Sequence, residues 1–140
     1  MTSITPKFVL LVAVTLLIYG CDSNSGDGNP GEEFDLIGTW EGVVTQAGFG
    51  TYLVSMEIDL LQTGKRAGSI DYPQLNCSGT LTYDGNSSGV YIFNEQIDIG
   101  QEICLGPGRI EIEETDSRKI SWEWYFGGSE PLVTGTLTKK

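Results

Sequence analysis

The segment Tyr52-Leu53-Val54-Ser55-Met56-Glu57-Ile58-Asp59-Leu60 decides the fold class. Tyr52, Val54, Met56, Ile58 and Leu60 recur at period two, with Ser55, Glu57 and Asp59 between them. A β-strand sends successive side chains to opposite faces, so this pattern is a strand with one buried and one wet face. The signature recurs at Ile120 to Phe126, where Ile120, Trp122, Trp124 and Phe126 share a face, and at Arg109 to Glu114, where Ile110 and Ile112 alternate with Glu111 and Glu113. Ile37 to Gln46, Gly68 to Tyr72, Cys77 to Tyr83, Val90 to Ile97 and Leu132 to Thr138 read as further strands. Turn residues separate them at Thr63 to Gly68, Asp84-Gly85-Asn86, Asp116-Ser117 and Gly127-Gly128. Pro73 ends the 68–72 strand because it has no N–H to give to a ladder.

This makes an all-β domain over residues 36–140, an antiparallel meander of about eight strands with mostly short connections. Two architectures fit: a closed up-and-down barrel, or a small β-sandwich. The barrel is the expectation, because closure removes the unpaired edges that invite aggregation. Gly68, Gly79 and Gly135 each open a similar pentapeptide at irregular spacing. They read as close backbone approaches rather than a repeat.

Upstream of the domain the chain changes character. Phe8 to Tyr19 is an uncharged run of 12 residues behind Lys7. A bilayer-spanning helix needs about 20 apolar residues, so this length reads as the core of a signal peptide over residues 1–20. Ile18-Tyr19-Gly20-Cys21 follows and resembles the lipobox of bacterial lipoprotein precursors. The resemblance implies cleavage after Gly20, a diacylglyceryl thioether on Cys21, and anchoring in the cell envelope by acyl chains such as palmitate. Asp22 directly after the cysteine resembles sorting signals for the inner membrane in some bacteria and for the cell surface in others, and both addresses stay open. Residues 21–35 then read as the lipidated cysteine and an acidic, Gly/Ser/Asn-rich tether. The tether lacks the ligand spacing of a calcium loop.

Composition narrows the function. The chain has 140 residues, 19 acidic and 8 basic, for a net charge of −11, and no histidine. Strong negative charge argues against nucleic acid as a partner. It suits either a solvated surface or a face for a basic protein. Without histidine there is no Ser-His-Asp or Cys-His catalytic arrangement, and the commonest metal ligand is missing. Glu57, Asp59, Glu111, Glu113 and Glu123 alternate with apolar residues and read as the wet faces of strands. Gly106-Pro107-Gly108 is a turn with no Walker lysine behind it. The expectation is a non-enzymatic domain with no cofactor and no metal.

After Cys21, Cys77 and Cys104 remain. A pair in an exported domain reads as a disulfide, here closing a separation of 27 residues; two free thiols for metal or redox work are the competing reading.

Gly38-Thr39-Trp40 at the start of the first strand resembles the G-x-W signature that opens lipocalins and related calycin barrels. The resemblance implies that Trp40 plugs a closed end, that a basic residue after the last strand (Lys139 or Lys140) packs over it, and that the barrel holds a cavity. Trp40, Tyr52, Trp122 and Trp124 are expected to point inward, as core filling or as the wall of a site for a small apolar ligand. The expected function is therefore a lipid-anchored extracytoplasmic binding protein. The alternative is a protein-interaction module, an envelope assembly factor or an enzyme inhibitor, acting through the acidic surface on a basic partner.

Overall fold

The computed structural model describes residues 34–140; the signal segment, Cys21 and most of the expected tether lie outside the described residues. The strands are β1 (Gly38–Gln46), β2 (Gly50–Ile58), β3 (Arg66–Tyr72), β4 (Cys77–Ser87), β5 (Val90–Ile99), β6 (Gly108–Asp116), β7 (Lys119–Tyr125) and β8 (Val133–Lys139). One 3-10 turn, Pro73–Leu75, links β3 to β4. Every strand pairs antiparallel with its chain neighbour, and β8 returns to β1, so the sheet is a closed barrel in sequence order. The sandwich alternative is excluded. Gln46 faces Val133 and Trp40 faces Lys139 across the closing seam.

The inward face is what the alternation dictates. Val54, Met56, Ile58, Ile70, Leu81, Phe93, Ile97, Ile110, Ile112, Ile120, Trp122 and Leu137 are all buried. Each such side chain contributes about 1.5–3 kcal/mol by leaving water. A Cβ on Gly68 or Gly79 would run into the backbone of the neighbouring strand, at Glu57 and Gln96, beside bulges in β3 and β4. The absent side chains let the strands bend into closure.

Two boundaries differ from the sequence reading. The second strand ends at Ile58, and Leu60 is exposed in the following turn. β7 ends at Tyr125, so Phe126 does not share the inward face with Trp124. It swings out and stacks its ring on the Trp124 indole at 5.9 Å. Gly127, with φ of +66°, turns the chain there.

The β1–β2, β3–β4, β5–β6 and β7–β8 connections lie at one end of the barrel, here called the mouth. The other end carries Phe34 and Lys140, the first and last described residues, and is plugged. Trp40 is fully buried and donates its indole N–H to the Leu36 carbonyl at 2.8 Å. Phe34 packs on it at 6.1 Å, and Lys139 places Nζ 5.6 Å from the indole centroid. Lys139 Nζ also donates to the Asp35 carbonyl at 2.6 Å, tying the last strand to the segment that enters the barrel.

Candidate functional site

The mouth holds a cavity of about 210 Å³. Its wall combines Tyr52 from β2, Tyr72 from β3, Glu95 and Ile97 from β5, Trp124 from β7 and Val133 from β8. Ile103, Cys104 and Leu105 of the β5–β6 loop close one side, and Phe49 of the β1–β2 turn lies at the rim. The bond between Cys77 and Cys104 (S–S 2.04 Å) pins that loop to the start of β4. It confirms the disulfide reading over the two free thiols.

Glu95 is the feature that period two places and polarity disguises. It stands between Phe93 and Ile97 on the inward face of β5 and is 2% exposed. Tyr72 donates its hydroxyl to Oε1 at 2.5 Å, and Trp124 donates its indole N–H to Oε2 at 2.6 Å. The three residues come from β3, β5 and β7, so the hydrogen bonds reach across the lumen. Burial pushes the Glu95 carboxyl above its ordinary value, and the bonds from Tyr72 and Trp124 offset part of that by favouring the ionised form. The same burial, with the Glu95 charge nearby, raises the Tyr72 hydroxyl well above its ordinary value and pushes Tyr52 up to about 12. Both tyrosines therefore stay neutral donors at physiological pH.

Gly108 makes the arrangement possible. A Cβ there would collide with Nε1 of Trp124, so glycine at the start of β6 leaves room for the indole to lie against that strand and reach Glu95. Tyr52 donates its hydroxyl to Gln46 Oε1 at 3.1 Å, and its ring meets Tyr72 edge-on at 6.0 Å and Phe49 at 6.0 Å. An aromatic wall thus runs from the rim down to the carboxylate.

The four aromatic candidates divide. Tyr52 and Trp124 line the cavity. Trp40 and Trp122 are fully buried away from it; Trp40 plugs the far end, and Trp122 sits one inward position below Trp124 on β7 with its N–H unpartnered. Cys21 lies outside the described residues. Tyr72, Glu95 and Gly108 join the site without having been among the candidates the sequence offers. The phase of the β5 alternation, with Glu95 two residues from both Phe93 and Ile97, was the available signal for the carboxylate.

No family model, curated protein or solved structure matches this chain. The geometry alone therefore carries the reading of the site.

Outside the mouth, a shallow hollow of about 400 Å³ runs along the outer wall past Pro107, Gly108, Arg109 and Tyr125. Its cation is already engaged: Arg109 pairs with Glu111 at 3.0 Å and stacks 4.5 Å over the Tyr125 ring, whose hydroxyl donates to Glu123 at 2.6 Å. Glu111 and Glu123 thus lie on the outer face as expected, but half-buried in a small network. Among the described residues, no three acidic or cysteine side chains gather as a metal site.

Proposed function

We propose that this chain is an extracytoplasmic binding protein, anchored by acyl chains on Cys21, that takes one small and largely apolar ligand into the mouth of its barrel. The observation that carries the reading is the cavity of about 210 Å³ walled by Tyr52, Tyr72 and Trp124. Its size suits a modest ligand: a dry cavity of about 150 Å³ accepts benzene, so this one takes a single ring with a short arm. The segment that enters the barrel packs Phe34 on Trp40 at the plugged end.

A second reading, docking of a protein partner, draws on Phe49, Ile99, Ile103, Leu105, Phe126 and Leu132, which are exposed at the same end. Native mass spectrometry of residues 22–140 exported to the periplasm separates the two. A ligand carrier yields an adduct of small-molecule mass that leaves on denaturation. A clean apo mass, unchanged by envelope extract, refutes the carrier reading and leaves the docking one.

A further inference from the structure

Each oxygen of the Glu95 carboxyl accepts a hydrogen bond, from Tyr72 and from Trp124, the arrangement that suits an ionised carboxylate. Among the described residues, Glu95 is the one carboxyl group on the wall, and neither lysine nor arginine lines the space. A buried carboxylate without a counter-ion is costly, and its cost falls when a partner of opposite charge arrives with hydrogen bonds. Tyr72 and Trp124 each use one lone pair, one per oxygen. A carboxylate offers about four acceptor positions, so both oxygens retain capacity for a further donor. The two fixed donors also hold the carboxylate in one orientation, which lowers the ordering a ligand must impose.

The walls add to the same preference. Tyr52, Tyr72 and Trp124 surround the space with ring faces and edges, and ring faces attract cations. The chain as a whole carries a net charge of −11, which draws cations toward it and repels anions. A neutral alcohol would satisfy the lone pairs but leave the charge uncompensated.

Resting on the reading of the mouth as a binding site, we propose that its ligand is a small primary amine, an aromatic or short alkyl body with an ammonium group held on Glu95. The apolar body lies against Tyr52 and Trp124, and the ammonium donates to Oε1 and Oε2. An anion of the same shape is rejected.

The test uses the full chain reconstituted in phosphatidylcholine nanodiscs, with empty nanodiscs as the blank. Three probes of nearly equal shape, 2-phenylethylamine, 2-phenylethanol and 3-phenylpropionate, are titrated by calorimetry at pH 7. The amine is expected to bind about tenfold tighter than the alcohol or more, because both can donate to Glu95 but only the ammonium also pairs with its charge, and the propionate not at all. Glu95→Gln is expected to bring amine and alcohol within about twofold, since the charge is gone and the shape is kept. Should that variant fold poorly, the parent protein alone decides: amine affinity falls as acid protonates Glu95, while alcohol affinity holds.

Equal binding of amine and alcohol by the parent overturns the amine proposal and leaves the binding-protein reading standing. If no probe binds, an adduct captured from envelope extract decides: one bearing an amine upholds the proposal, and a neutral or acidic one overturns it. No probe and no adduct overturns both readings.

Discussion

Removing the bridge between Cys77 and Cys104, as the double change Cys77→Ala and Cys104→Ala, is expected to weaken the fold and loosen the site together. The bridge closes a separation of 27 residues. In the chain-entropy account, freeing a loop of that length stabilises the unfolded state by about 3.5 kcal/mol. A domain of this size has roughly 5–15 kcal/mol in hand, so the loss is a large fraction of it. At about 4–8 °C per kcal/mol, Tm drops by roughly 14–28 °C. The locus matters as well. Within the β5–β6 loop, Ile103 and Cys104 donate backbone N–H groups to the Gly100 carbonyl at 2.9 Å each. Those bonds keep the turn but do not seat it on the barrel; the disulfide does. Hydrogen exchange is therefore expected to accelerate over residues 100–107 more than over β7. Urea denaturation measures the first effect, with a larger m-value expected as the unfolded chain expands. A loss below about 1 kcal/mol, or uniform exchange across the barrel, refutes the reasoning.

Glu95→Gln changes stability in a pH-dependent way. Because burial raises the folded-state carboxyl above its ordinary 4.5, wild-type stability from this group is full below that value and lost as pH rises through the folded one. The glutamine variant does not titrate, so its Tm relative to the wild type is expected to rise from pH 4 to pH 8; a constant difference refutes the assignment. Gly108→Ala drives the Trp124 indole off Glu95, and the expected readouts are a shifted Trp124 fluorescence and weaker ligand binding, with normal emission as the contrary result. Trp122→Ala empties a fully buried site and costs about 3–5 kcal/mol by denaturation. Cys21→Ser is expected to release the chain from the membrane fraction, and continued acyl-dependent attachment contradicts the anchor.

The barrel was readable because β2 and β7 carry nearly unbroken alternation of large apolar residues, and short connections leave antiparallel pairing as the simple solution. Cysteine parity was enough for the disulfide. Phe126 misled because alternation continues past Tyr125 while Gly127 ends the strand, a matter of backbone conformation that side-chain pattern does not record. The polar centre of the mouth was harder to find. Tyr72 and Trp124 stand 23 and 29 residues from Glu95, and they meet only once the sheet closes. An acid in a strand ordinarily marks the wet face, and only its phase against Phe93 and Ile97 marks it as internal.

The central claim is that a ligand occupies the mouth beside Glu95 and nowhere else in the barrel. The chain has three tryptophans, hence three indole N–H signals, each with its own partner or none. Proton–nitrogen correlation NMR during titration with 2-phenylethylamine tests the claim most directly. The Trp124 signal is expected to move saturably, with Trp40 fixed at the plugged end and Trp122 at most slightly displaced. Saturable binding that moves Trp40 instead, or leaves Trp124 untouched, contradicts it.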